Sequence, residues 1–341
     1  MLPERNSPSR RNPWSRRLIV FLAGVVAAAL VLWLVPTPWY ITAPGAAIDT
    51  ATLVSVKGGQ SRPGRLYMMV VTTQPANLFW YLYAKLDHRA VLETPTEFLG
   101  DVEDYDKYVE LARRMMADSQ QSAQAVGENL AGYGQGARSV GVQVTDFTAT
   151  SPAKGVLQPD DVIIGLGGQA VTGMPDLRDL LSRVAAGTPV QVKVRRGQAE
   201  LVLAVPTQEH PDPARKGTAA LGVYIKDALL FDVPVPVTIK TGAITGPSAG
   251  LMFTLQIVDQ LTSGGITHGK VIAGTGTIQP DGSVGAIGGV QQKVYAAEAA
   301  NARVFFVPVA NYADAKAVAT RIEVVPVENA RDALNWLKAH P

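Results

Sequence analysis

Across its 341 residues the chain carries 31 Lys and Arg against 29 Asp and Glu, a formal net charge of +2, with four histidines and no cysteine. That balance is too even to argue for a nucleic-acid partner. The lack of cysteine excludes a thiol nucleophile, a disulfide framework and a thiolate metal site, and none of His88, His210, His268 and His340 stands in a zinc-binding spacing. No metal and no cofactor are therefore expected, and the expected partners are polypeptides.

The first 17 residues form a basic tail with Arg5, Arg10, Arg11, Arg16 and Arg17. Residues 18–35, Leu18 to Val35, are an uninterrupted apolar run, at the lower end of what spans a bilayer of roughly 30 Å. Arginines before the run and few basic residues just after it predict a single-pass anchor with its N-terminus in the cytoplasm and the rest of the chain outside. A cleaved signal sequence is the alternative, but Pro36-Thr-Pro-Trp-Tyr-Ile41 makes a poor cleavage site. Trp39 and Tyr40 fall where an interfacial aromatic belt is expected.

Residues 41–136 read as a separate α+β segment without visible chemistry. Val54–Val56 and Leu66–Val71 are strand-like, Tyr105 to about Leu130 is helical, and a glycine-bearing connector closes the segment. Residues 138–206 read as a compact β-rich unit. Val140, Val142 and Val144 alternate as in a half-buried strand, Ser151 to Asp161 turns, and Val162–Leu166 is strand-like. Pro175 then opens a helix with Leu177, Leu180, Leu181 and Val184 on one stripe, and strands at Val190–Arg195 and Leu201–Val205 follow. Ser-Pro-Ala153, Gly-Val-Leu-Gln-Pro-Asp-Asp-Val-Ile163 and Gly-Gly-Gln-Ala-Val171 in this order resemble the PDZ domains of bacterial extracytoplasmic proteases. The resemblance implies that an extended peptide is added as a strand, its terminal carboxylate received by the loop before that strand. Arg138, Ser139, Val140, Gly141 and Val142 are the expected peptide-binding residues. Residues 207–219, with Pro211, Pro213 and Gly217, read as a linker.

Residues 220–341 alternate strand and helix, an α/β arrangement. Within them Gly246-Pro-Ser-Ala-Gly250 puts a serine at the mouth of an apolar helix, where proline suits the first turn and free N–H groups can stabilise an oxyanion. On a helix starting near Val290, Lys293 shares a stripe with Val290, Val294 and Ala297. A lysine desolvated there is lowered from ~10.4 toward roughly 7 to 8, where it can take a proton from serine. The run from about 237 to 312 resembles the proteolytic domain of the Lon family: the Gly-Pro-Ser-Ala-Gly segment, the connection Ile272 to Gly289, the lysine after Gly288-Gly289, and Phe305 to Asn311. That resemblance implies Ser248 as nucleophile and Lys293 as general base, with Thr275 orienting the lysine and Gly246, Pro247 and Ala249 supporting the serine. ATP-dependent Lon enzymes carry an acidic residue two positions before the proline, where this chain has Thr245. The nearest phosphate-loop spacing, Gly264 to Lys270, is followed by Val271 in place of a Ser or Thr and leads from helix into strand, so it reads as a turn.

The whole order of anchor, PDZ-like unit and Lon-type α/β domain resembles the YlbL-type membrane-anchored peptidases of bacteria. The resemblance implies an ATP-independent serine endopeptidase of extracytoplasmic proteins, with oligomerisation left open. The alternative is a non-catalytic PDZ adaptor on a Lon-type scaffold.

Overall fold

The computed structural model describes residues 13–60 and 62–341. Arg5, Arg10 and Arg11 of the basic tail lie outside the described residues. The chain forms two compact units: one runs to Ala131 and resumes at Pro236–Pro341, and the other is Gly132–Val235.

Helix α1 (Pro13–Leu34) contains the apolar span, none of which is buried against the protein, and Pro36 forbids its continuation. Strand β1 (Pro36–Asp49) pairs antiparallel with β3 (Arg65–Asn77), and the short β2 (Val54–Val56) lies between them in sequence. β1 tolerates Pro44 because the ladder slips between Pro44 and Ala47, a bulge at which a Cβ on Gly45 would lie 2.6 Å from the Val70 carbonyl oxygen. Helix α2 (Leu78–Leu86) starts at an Asn77 cap, and β4 (Val91–Glu93) pairs with β1. Helix α3 (Pro95–Leu99) begins with a Thr94–Glu97 capping box, and α4 (Tyr105–Leu130) with an Asp104 cap. Ala112, Met116, Ser119, Ala123 and Val126 repeat on one face of α4 and are its buried residues along with their neighbours, whereas Met115 is exposed.

The inserted unit begins with β5 (Gly136–Phe147), followed by β6 (Val162–Leu166), β7 (Gln169–Ala170) and α5 (Met174–Ser182). Next come β8 (Val190–Arg196), β9 (Ala199–Val205), β10 (Gln208–Glu209), β11 (Ala219–Ala220) and β12 (Val223–Asp232). The sheet runs β12-β5-β6-β8-β9 and closes over Val142, Val144, Leu157, Ile163, Leu177, Val192, Val194 and Leu221. Fully buried Asp161 accepts two hydrogen bonds from Arg196, at 2.7 and 2.8 Å, and a third from the Gln158 N–H, so the turn before β6 is fixed by a satisfied ion pair. Residues 207–219 are not a free linker: β10 and β11 pair antiparallel, and Thr218 bridges to Ala185. Residues 220–235, expected in the C-terminal domain, belong to this unit through the β12–β5 ladder.

The first unit resumes with β13 (Val237–Ile239), which pairs with β2, and the buried α6 (Gly250–Leu261). Strand β14 (Val271–Gly274), the small pair β15 (Thr277–Ile278) and β16 (Val284–Gly285), and α7 (Val290–Ala299) follow. The chain ends with β17 (Val304–Pro308), α8 (Tyr312–Val318), β18 (Glu323–Val327) and α9 (Ala330–Ala339). The central sheet is ordered β18-β17-β14-β3-β1-β4, with β3, β14, β17 and β18 parallel and β1 reversed. Residues 41–136 are therefore not a separate segment, because β3 lies directly between β14 and β1 in that sheet. Buried polar groups lock the two sequence halves together. Thr50 Oγ1 meets Gln256 Oε1 at 2.8 Å, and the Gln260 side chain bonds to the Val54 carbonyl and the Val56 N–H.

Candidate active site

The turn that carries Ser248 is set by two backbone requirements. Gly246 takes φ +89°, which disfavours a side chain, and Pro247 fixes the first residue of the 3₁₀ turn Pro247–Ala249 that opens α6. Helix α4 supports the turn from outside the motif: the Gly246 N–H donates to the Ala112 carbonyl, and Ser119 Oγ donates to the Pro247 carbonyl at 3.0 Å. The apolar and small-residue repeat of α4 was the only sequence signal for this support, and it did not name the partner.

Lys293 reaches the same point from α7, one helical turn beyond the left-handed Gly289. Its Nζ lies 3.0 Å from Ser248 Oγ and 3.2 Å from Thr275 Oγ1. Thr275 Oγ1 donates its own proton to the Ser248 carbonyl at 3.0 Å, so toward Lys293 it can act only as an acceptor. An N–H of the amine then points at Thr275, which leaves a neutral amine's lone pair free for the serine hydroxyl. Thr275 is itself held by its N–H on the Phe306 carbonyl, and the Gly276 N–H donates to the Ser248 carbonyl at 2.8 Å. Lys293 is 2% exposed among buried Val290, Val294 and Ala297, and this desolvation lowers its pKa to about 7. The structure thus brings Ser248, Lys293 and Thr275 together, with Gly246, Pro247 and Ala249 in the supporting turn.

Close packing continues behind the serine. A Cβ on Gly250 would sit 2.5 Å from Ser119 Oγ, 2.6 Å from Ile278 Cγ2 and 2.9 Å from the Ile278 backbone nitrogen. Gly250→Ala gains about 1 kcal/mol of helix propensity yet is expected to lose about 1–3 kcal/mol net, because the strand β15 backbone must give way. Thermal unfolding and turnover measured on the same variant check this, and both should fall.

The loop with phosphate-binding spacing is occupied by its own chain. Asp259 accepts the Ile266 N–H at 2.8 Å, and Thr267 Oγ1 donates to the Pro63 carbonyl. These bonds fix the passage from α6 to β14 as a structural turn.

In the inserted unit the expected peptide-binding edge is corrected. The backbone from Arg138 to Val142 faces β12, with Arg138 opposite Leu230, Ser139 opposite Leu229 and Val142 opposite Asp227. On the other side the Gly141 N–H donates to Thr172 and Val142 pairs with Ile163. β5, with Val140 at its centre, is an interior strand, and no peptide can be added there. The sheet edge beside β5 is β12, and a cavity of about 640 Å³ lies between it and α5. Met174, Leu177, Leu181, Leu221, Val223 and Ile225 give it apolar walls, and His210 and Arg215 also line it. Gly222 is left-handed at φ +70°, and the N–H groups of Leu221 and Gly222 find no acceptor among the described residues. Two adjacent free N–H groups at a positive-φ glycine form a backbone nest for an anion.

Residues 219–337 match the family model of the Lon protease (S16) C-terminal proteolytic domain, and residues 111–207 match that of the PDZ domain. The PDZ match starts inside α4, upstream of the compact unit at Gly132. Lon protease 2 of Thermus thermophilus is 35% identical over 136 residues, 37% of this chain and 16% of that protein. Lon protease of Rickettsia bellii is 33% identical over 121 residues, 34% of this chain and 15% of that protein. The chain thus spans less than a fifth of the length of these relatives. Among solved structures, the PDZ domain of an SdrC-like protein from Listeria monocytogenes is 22% identical with a TM-score of 0.23, over 25% of this chain and 87% of that one. The chain combines an N-terminal apolar helix, a PDZ domain and a Lon-type C-terminal proteolytic domain.

Proposed function

We propose that the protein is a membrane-tethered serine endopeptidase, independent of ATP, that uses a Ser248–Lys293 dyad on proteins outside the cytoplasm. The observation that carries the reading is the buried amine of Lys293, lowered to about 7 and 3.0 Å from Ser248 Oγ. Lys293 takes the serine proton as Oγ attacks the scissile carbonyl, and the ammonium then delivers that proton to the leaving amine. N–H groups in the turn around Ser248 receive the oxyanion. Thr275 is a positioning residue, since it holds the amine. ATP-independence is supported by the occupied turn Gly264–Lys270, and α1 serves as the anchor, N-terminus inward.

The full chain in detergent, given unfolded casein, should cleave it equally with and without ATP, and Ser248→Ala should end cleavage. Cleavage that survives in Ser248→Ala, or that needs ATP, would overturn the respective half of the proposal.

The PDZ domain supplies substrate capture. A peptide C-terminus adds to the β12 edge, with its carboxylate on the Leu221 and Gly222 N–H groups and its apolar side chains against α5. Leu181→Asp should weaken binding of a labelled octapeptide ending in a free valine carboxylate by about tenfold or more. The same octapeptide amidated at its C-terminus should bind wild type as weakly. Fluorescence anisotropy checks both, and equal binding of acid and amide would remove the nest from the site.

A further inference from the structure

Helix α2 has apolar residues on both sides. Its sequence is Leu78-Phe-Trp-Tyr-Leu-Tyr-Ala-Lys-Leu86, and Lys85, its one charge, lies 5.5 Å from the centre of the Tyr81 ring. Trp80, Tyr83 and Ala84 pack inward on Ile41, Ala43, Ala76 and Ala90. Phe79, Leu82 and Leu86 repeat at i, i+3 and i+7 on a second stripe, and they are 40%, 43% and 88% exposed. An element that is apolar all round is normally buried in protein or in lipid.

The second stripe is continuous with the apolar surface of α1. The Leu78 N–H donates to the Val35 carbonyl at 2.9 Å, and Asn77 Nδ2 donates to the Trp33 carbonyl at 3.0 Å, so the start of α2 caps the end of the anchor. The Trp33 and Phe79 rings lie 6.1 Å apart, and Trp33 and Leu34 are themselves exposed. Trp39 and Tyr81, 6.5 Å apart, add amphipathic rings of the kind that collect at the water–lipid boundary.

We propose that α2 is a second, interfacial membrane element. It lies in the boundary of the leaflet from which α1 emerges, with Phe79, Leu82 and Leu86 in the acyl region, Lys85 reaching the headgroups, and Trp80 and Tyr83 holding the peptidase fold down. The proposal rests on reading α1 as a membrane anchor. It makes the attachment a two-point mount, so the unit that carries the dyad is held close to the lipid surface instead of swinging on a single helix.

The absence of native cysteine permits a direct test. Full-length chains carrying Gly24→Cys, Leu86→Cys or Lys338→Cys are labelled with an environment-sensitive fluorophore. They are then reconstituted in phosphatidylcholine vesicles with a minor share of phosphatidylglycerol and quenched with shallow or deep spin-labelled lipids. The label at Leu86→Cys should be blue-shifted and quenched by the shallow lipid about twofold or more beyond that at Lys338→Cys, and the label at Gly24→Cys should respond to the deep lipid. A lipid-quenched Gly24→Cys beside an unquenched Leu86→Cys would overturn the proposal and leave the anchor standing. A blue-shifted but unquenched Leu86→Cys would mean that protein, such as a second copy, covers the stripe, and would also overturn it. Loss of quenching at Gly24→Cys would remove the anchor reading itself.

Discussion

Replacing Lys293 with Met will abolish turnover and at the same time stabilise the fold by about 4 kcal/mol near neutral pH. The expectation follows from what burial does to the amine. In the unfolded chain Lys293 titrates at its ordinary value of 10.5, whereas in the native state desolvation lowers it to about 7. Between those two values the unfolded chain binds a proton that the native state does not, so wild-type stability must rise with pH across that window and level off above it. Below about 7 the native amine is charged as well, and the burial penalty is then at its full size. Methionine has similar length and no proton to lose, so Lys293→Met removes the penalty at every pH. Thr275 keeps its own donor bond to the Ser248 carbonyl in that variant, so no buried hydroxyl is stranded. Denaturant unfolding of both proteins at three pH values across the window checks the expectation. The advantage of Lys293→Met should be at its full size below about pH 7, decline as pH rises through the window, and approach zero near the ordinary lysine value. A gap that stays constant with pH would mean that Lys293 is not buried neutral.

How much of this was legible in the sequence depends on how local each feature is. Ser248, Lys293 and Thr275 sit in short motifs whose backbone geometry is written by neighbouring Gly and Pro, and the stripe of Val290, Val294 and Ala297 already described the environment of the amine. The strand order was not legible. β3 takes its place beside β14 through pairs such as Leu66 with Ile272, which no local pattern encodes. The PDZ unit consequently read as a bead between two others, although it is inserted within one fold. The peptide-binding edge was misplaced for a related reason. Alternation at Val140, Val142 and Val144 marks a strand with one buried face, but it does not say whether another strand covers its edge, and β12 from beyond the supposed linker does so. Pro211, Pro213 and Gly217 resembled linker composition and instead shape the excursion between β10 and β11 beside the cavity.

The second large effect concerns the rate. Ser248→Ala and Lys293→Ala should each reduce kcat/KM by on the order of 10⁴ to 10⁶, since members of a catalytic unit fail together. The double variant should then be no slower than either single one. In wild type, kcat/KM should fall about tenfold for each pH unit below the lysine pKa near 7 and reach a plateau about one unit above it, because only the neutral amine can accept the serine proton. Thr275→Val separates chemistry from positioning. It keeps the volume but removes the acceptor 3.2 Å from Nζ, so the amine loses the contact that aims its lone pair. The expected result is a drop of about ten- to a hundredfold in kcat with KM little changed. Binding of the octapeptide to the PDZ domain should be untouched, since the cavity is built from other residues. A flat profile from about pH 6 to about pH 9 would exclude Lys293 as the base. If Thr275→Val instead shifts only KM, its hydroxyl serves substrate binding, and the amine must be oriented by packing on α7 alone.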